Sequence, residues 1–190
     1  MCMIEVRRIT REDIDDLLSI SLRELGEDYL DESDFIEALD NPDVLCNMVQ
    51  VDGVNAGFAI CKVFGPSDEP RMLGLPEGED RDLVLGCSRI GIIDSVAMLD
   101  SMKGRGAGTR MCQVCYDDLK DMGCEMICAM AWKSRTGRTN IAKILSGLGM
   151  VERVSIQGYW NTQVDSPEGH LCPECGAPCK CYGVFWMRRV

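Results

Sequence analysis

No apolar run in this 190-residue sequence reaches the roughly 18–20 residues that span a bilayer, so no membrane partner is expected. The opening residues, MCMIEVRRIT, pass straight into a strand-like pattern and carry no secretory leader, so a cytoplasmic location is expected. Basic residues are scarce. Twenty Lys and Arg against 31 Asp and Glu give a net charge of −11. That balance argues against nucleic acid as a partner, because gripping a phosphate backbone needs clustered cations. It suits a cationic partner such as an amine. There is one histidine, His170, and no internal repeat.

Hydrophobic residues make up 46% of the chain, enough for one domain over residues 1–190 with a proper core. Cysteine is abundant, at twelve residues. Eight of them (Cys2, Cys46, Cys61, Cys87, Cys112, Cys115, Cys124 and Cys128) are scattered through apolar segments. Without a secretory leader these read as small reduced core residues rather than disulfide partners. Cys112-x-x-Cys115 falls within a helical apolar stripe, whereas a redox pair belongs at a helix start, so it too reads as core. The remaining four crowd into residues 172–181.

Hydrophobic periodicity orders the chain as β-α-α-β-β-β-α-β-α-β-β. Met3–Thr10 alternates as a strand. Thr10 caps a helix with Asp13 as capping-box acid, and Ile14, Leu17, Leu18, Leu22 and Leu25 form its stripe up to Gly26. A short helix holds Phe35, Ile36 and Leu39. Two apolar runs flank Asp52-Gly53, a hairpin signal. Residues 65–87, rich in Pro, Gly and acid, read as a long loop. Arg89–Met98 is a strand, Arg105–Met122 a helix, Glu125–Trp132 a strand buried on both faces, and Thr136–Leu148 a helix closed by Gly149. Residues 151–160 and 182–189 supply two last strands. The fold class is α/β (α+β), a mixed central sheet with helices on both faces.

Between the strand ending at Met98 and the next helix lies Lys103-Gly104-Arg105-Gly106-Ala107-Gly108. A glycine-rich strand-to-helix turn is an anion cradle, because backbone amides and the helix dipole face the ligand. It is not a Walker A loop, since no Gly-Lys-Ser/Thr exists here. Nor is it G-x-G-x-x-G, because the last position falls on Thr109 or Met111. The pattern basic-x-x-Gly-x-Gly, after a strand and opening a helix, resembles the pyrophosphate loop of the GNAT acyltransferase superfamily. The resemblance covers residues 3–160 and resumes at 182–190, with Lys103 where Arg or Gln is usual. It implies acetyl-CoA as cosubstrate. The backbone of Val96, Ala97 and Met98 would hold the pantetheine arm, and the amides of Lys103, Gly104, Arg105, Gly106, Ala107, Gly108 and Thr109 would hold the pyrophosphate. Arg105, Arg110, Lys133, Arg135 and Arg138 are candidates for the 3′-phosphate or ordinary solvated side chains.

Acyl transfer needs a neutral amine. At pH 7 a lysine-like amine is neutral in only about one molecule in 2,500, a deficit of roughly 4–5 kcal/mol, so a proton acceptor is valuable. In RIGIIDSVAM, Asp94 shares alternation parity with Ile90, Ile92, Val96 and Met98, so a carboxylate interrupts an apolar row. The resemblance implies a base there, acting directly or through water. A bulge turning Asp94 to solvent is the alternative. The family's strand N–H that polarises the thioester carbonyl corresponds to about Met98. Its usual tyrosine acid falls on Leu145, and its early helix asparagine nearer Arg138, with Asn140 two residues off. The thiolate's proton must then come from water or another group such as Tyr159. The expected function is transfer of acetyl from acetyl-CoA to a primary amine of a small molecule, polyamine or protein/peptide. The alternative is a non-catalytic CoA sensor or docking protein. Oligomeric state is left open, a homodimer being one option.

HLCPECGAPCKCYG sets Cys172, Cys175, Cys179 and Cys181 in C-x2-C-x3-C-x-C spacing. CPECG resembles a zinc-ribbon or rubredoxin knuckle, whose turn aims two thiolates at one ion. Pro173 and Pro178 stiffen the loop, and His170 is a candidate to replace one thiolate. Residues 161–181 are therefore expected to form a metal-binding insertion holding zinc, with iron as the alternative and a metal-free set of thiols or disulfides as the remaining reading.

Overall fold

A computed structural model of the chain describes residues 2–27, 29–139, 141–164, 167–172 and 174–190. Asn140 and Pro173, singled out above, lie outside the described residues. Seven strands form one mixed sheet in the order β1-β2-β3-β4-β5-β7-β6. β1 (Ile4–Arg8), β2 (Val44–Val51), β3 (Val54–Phe64) and β4 (Ile90–Met98) pair antiparallel in turn. β5 (Met126–Lys133) lies parallel to β4, and β7 (Tyr182–Arg189) pairs antiparallel with both β5 and β6 (Val151–Gln157). The β2–β3 hairpin turns at Asp52 and Gly53, whose φ values of 52° and 81° are those of the two-residue turn that Asp-Gly favours.

Among the described residues six α-helices cover the sheet: α1 (Ile14–Glu24), α2 (Glu32–Asp40), α3 (Glu69–Met72), α4 (Glu79–Leu85), α5 (Ala107–Asp121) and α6 (Ala142–Gly147). Alternation along β3 sorts them. Phe58 and Ile60 face Leu17, Ile20 and Phe35 of α1 and α2, and Phe58 meets the Phe35 ring edge-on at 5.3 Å. Further along the same face, Phe64, Ile90 and Ile92 meet Leu73, Leu75 and Val84. Ala59, Cys61 and Val63 point the other way, into a core with Met111, Cys112, Cys115 and Leu119 of α5 and Leu145 of α6. Burial pushes the Cys112 thiol up to about 12, while hydrogen bonds with Cys61 and Asn47 draw Cys115 below the ordinary thiol value; both side chains are buried in this core.

Three expectations are corrected. Residues 65–87 are no loop: they hold α3 and α4, and bury Leu73, Leu75, Val84 and Cys87. The segment is stitched by the fully buried Glu69, which accepts from Arg81 Nε at 2.9 Å and from the Leu75 N–H at 2.8 Å. Its Pro and Gly residues had masked that apolar spacing. The helix expected over Thr136–Leu148 begins only at Ala142, after a turn in which Ser134 Oγ accepts the Arg138 N–H at 3.1 Å. Leu22, placed on the stripe of the first helix, is exposed; the buried face is Ile14, Leu17, Ile20 and Ser21.

That first helix is entered through Asp13. Its carboxylate takes both Arg7 terminal nitrogens at 2.8 Å, the Thr10 N–H at 2.7 Å and the Thr10 hydroxyl at 2.9 Å. The Arg7 hydrogen bonds, with help from Thr10, hold its pKa down to about 2. A carboxyl held below its unfolded value stabilises the fold above about pH 4, and the contribution disappears as pH falls through about 2. Asp13→Asn is therefore expected to cost about 2 kcal/mol at pH 7. The gap between wild type and variant, measured by chemical denaturation, should narrow as pH drops below 4.

Candidate active site and cysteine knuckle

β4 departs from the sheet at the point where chemistry is expected. Its parallel ladder with β5 covers only Ile90–Ile93 against Met126–Ala129. Beyond that, Ser95–Met98 keep β3 as a partner while Met130–Lys133 keep β7, so the facing edges of β4 and β5 part. The backbone of Val96, Ala97 and Met98 lines this opening. At its start, Ile60 and Cys61 are consecutive in β3, yet they pair with Ser95 and Ile93, which leaves Asp94 as the extra residue of a β-bulge.

The bulge changes which residues share a face. Ile90 and Ile92 look toward α3 and α4, but Val96 and Met98 pack with the α5 core, so the parity expected to join them to Asp94 is broken. Asp94 is not turned fully to solvent. Its carboxylate is 27% exposed, 3.3 Å from Lys62 Nζ and 3.4 Å from Ser95 Oγ. Two tyrosines lie within reach of its charge. Tyr159, buried in the turn after β6, is pushed above the usual phenol range by burial and then by Asp94, Tyr29 and Glu69. Tyr29, between α1 and α2, is raised to about 12 by burial and Asp94, against a Ser95 hydrogen bond that lowers it. Both phenols therefore stay protonated at neutral pH. Sequence reasoning missed Tyr29 and Lys62. A lone aromatic in the acidic stretch 26–34 was the signal for the first, and nothing local marked the second. Leu145, at the family's usual tyrosine place, is fully buried core.

On the far side of the opening, β4 leads through a short turn, Asp100–Met102, into the glycine loop. Gly104 and Gly106 have φ values of 79° and 83°, which L side chains rarely adopt. Gly106 caps α5 without a side chain, so the amides of Ala107, Gly108 and Thr109 have no earlier helical carbonyl to bond. No acidic residue sits in that first turn. Gly108 has ordinary room: an added Cβ would meet Met98 and Ile144 at 3.5 and 3.6 Å. The Lys103 ammonium is drawn back to Asp100 and to Glu24, 3.3 Å away, while Arg105 and Arg110 are exposed around the loop.

The four cysteines 172, 175, 179 and 181 converge, with all sulfurs within 4.8 Å of one another. Neighbouring sulfurs stand 3.7–3.9 Å apart. Sulfurs bound tetrahedrally to zinc at about 2.3 Å would stand about 3.8 Å apart, so this donor set fits the ion. The Cys172–Gly176 turn closes with paired backbone hydrogen bonds, and the Lys180 N–H donates to Cys175 Sγ at 3.2 Å. His170 does not join the cluster; its N–H is held by Asn161 Oδ1 at 3.0 Å. Trp132 and Trp160 pack against the cysteines. Asn161, which no sequence signal marked, also accepts the Cys179 N–H and donates to the Cys179 carbonyl, both at 2.8 Å.

No curated protein matches the chain in sequence. Solved structures share its fold. Arabidopsis thaliana NAA60 in complex with acetyl-CoA is 11% identical with a TM-score of 0.69, covering 99% of both chains. Escherichia coli ribosomal-protein-S18-alanine N-acetyltransferase is 13% identical with a TM-score of 0.64, covering 99% of this chain and 94% of its own. Drosophila melanogaster polyamine N-acetyltransferase, which catalyses formation of N-acetylagmatine, is 11% identical with a TM-score of 0.64, covering 99% and 100%. The model of the acetyltransferase (GNAT) family matches residues 11–139, more than half of the sequence, and the chain belongs to that family.

Proposed function

We propose that this protein transfers acetyl from acetyl-CoA directly to a primary amine, with Asp94 as base and Tyr159 as acid. The observation that carries the reading is the parting of β4 from β5, with the glycine loop at one end and Asp94 at the other. The loop amides from Lys103 to Thr109 bind the pyrophosphate, and the unpaired edge at Val96, Ala97 and Met98 binds the pantetheine arm. An N–H near Met98 polarises the thioester carbonyl. Acetyl-CoA in the complex of a structural neighbour supports the cosubstrate.

The acceptor enters on the face that carries Asp94, Lys62, Tyr29 and Tyr159. Asp94 takes the ammonium proton, directly or through water. Protonating Asp94 removes one of the charges that raise Tyr159, so uptake of the amine's proton makes the phenol a better donor to the departing thiolate. Acceptors are cationic amines of small molecules, polyamines or peptides, and the polyamine and protein-terminal neighbours support that class. Residues 161–181 form an insertion in a single cytoplasmic domain spanning residues 1–190. Cys172, Cys175, Cys179 and Cys181 would hold a zinc ion, which would supply a structural crosslink there.

Asp94→Asn should lower kcat/KM about 10²–10⁴-fold in a thiol-release assay over a panel of amines, with CoA affinity retained. CoA binding without turnover on any amine would point to a sensor instead. Gly106→Ala places a side chain in a left-handed conformation costing about 1–2 kcal/mol, and it should weaken CoA binding in calorimetry by about tenfold. Unchanged CoA affinity in that variant would count against the loop as the pyrophosphate site.

A further inference from the structure

We propose that the four-cysteine knuckle is the positioning device for the acceptor side of the site. Closed on one metal ion, it holds Asn161 and Trp160, and through them steadies the Tyr159 ring. The inference rests on the acetyl-transfer reading above.

Tyr159 sits in a short segment that owes its place to the cysteine-bearing chain. The Gly158 N–H donates to the Cys181 carbonyl at 2.8 Å. Asn161 grips both backbone groups of Cys179 at 2.8 Å and the His170 N–H at 3.0 Å. Between these anchors, Trp160 packs against the cysteines and meets the Tyr159 ring edge-on, at 5.0 Å and 88°. Its indole N–H donates to the Tyr182 carbonyl at 3.3 Å. Below, the Tyr159 ring lies so close to Gly183 that any Cβ there would fall 2.6–2.8 Å from its atoms. The Tyr159 ring is buried in the core that also holds Phe64, Leu73, Met130 and Phe185, and Trp160 is its edge-on aromatic partner on the side of the knuckle.

Among the described residues, the apolar side chains packed on the buried Cys172, Cys179 and Cys181 are Trp132, Trp160 and Cys175. A cluster with so small an apolar core depends on its crosslink for order. The glycine loop is anchored differently, through Lys103 to Glu24 and Asp100 and through α5 to the opposite core. Towards the β5–α6 connection the knuckle makes the Arg138–Glu174 pair at 3.9 Å, which does not involve residues 103–109. Loss of the ion should therefore disturb the acceptor half and spare the CoA half.

The test compares the intact metal-loaded protein with the same protein stripped by a chelator, with metal content followed by elemental analysis. Stripping should change CoA affinity in calorimetry by less than about twofold, shift the tryptophan emission as Trp160 loses its packing, and lower kcat with amines about tenfold or more. In metal-loaded protein, Trp160→Ala should reproduce the kinetic loss, and Trp160→Phe, which keeps an edge-on partner for Tyr159, should restore most of it. The proposal is overturned if stripped protein keeps its kcat and acceptor KM, if CoA affinity falls in parallel with kcat, or if purified protein holds no metal. Failure to bind CoA already in the metal-loaded form overturns the acetyl-transfer reading and this inference with it, so the form that fails tells the two apart.

Discussion

β4 cannot satisfy both of its neighbours along its whole length, and the rest of the site follows from that. Its antiparallel ladder with β3 runs to Met98, whereas its parallel ladder with β5 stops after Ile93. A bulge adds twist and bends the strand that carries it, and the extra residue here, Asp94, stands where the two ladders separate. Past that point the β4 edge facing β5 carries backbone N–H and C=O groups that no strand pairs. Buried backbone groups are costly to leave without partners, so an edge of this kind is suited to an extended, amide-bearing ligand. Under the proposed reaction, one irregularity thus supplies the slot for the cosubstrate arm and aims the base across its mouth.

The electrostatics of that mouth are more balanced than the net charge suggests. The acid groups nearest the site are paired: Asp94 with Lys62, Glu24 with Lys103, and the buried Glu69 with Arg81. Under the proposed reaction, a cationic acceptor would meet a carboxylate already matched by a lysine, both about a quarter exposed. Exchange of one ammonium for another costs far less than stripping a lone buried charge from its partner. Lys62 in this sense would keep the proposed acceptor's place.

Much of the fold was legible because it rests on short-range rules. Asp52-Gly53 specified a hairpin through its backbone preferences, and the alternating and continuous apolar runs marked all seven strands. The glycine spacing from Gly104 to Gly108 marked the loop, since two of those positions adopt φ values that other residues avoid. What stayed hidden depends on partners distant in sequence. The flip of Val96 and Met98 away from the face of Asp94 follows from a register shift against β3, which no periodicity within β4 can show. Residues 65–87 looked like a loop because Pro and Gly dominate them, while the Glu69–Arg81 pair that organises them exists only after folding. Tyr29 and Asn161 act through contacts 66 and 18 residues away, with Ser95 and Cys179.

The cysteine cluster shows the same divide in another form. Its spacing announced a metal site, but the spacing alone did not say why this fold should carry one. The connection between β6 and β7 is too short to build an apolar core of its own, and in such segments a metal site supplies the order that burial cannot. Here the segment ends against two tryptophans, one on the splayed end of β5 and one next to Tyr159. Under the proposed reading, closing that hairpin on an ion adds a fixed wall at Trp160 beside the core of Phe64, Leu73, Met130 and Phe185 that holds Tyr159. Four cysteines and an ion would then stand in place of the larger core that a longer insertion would need.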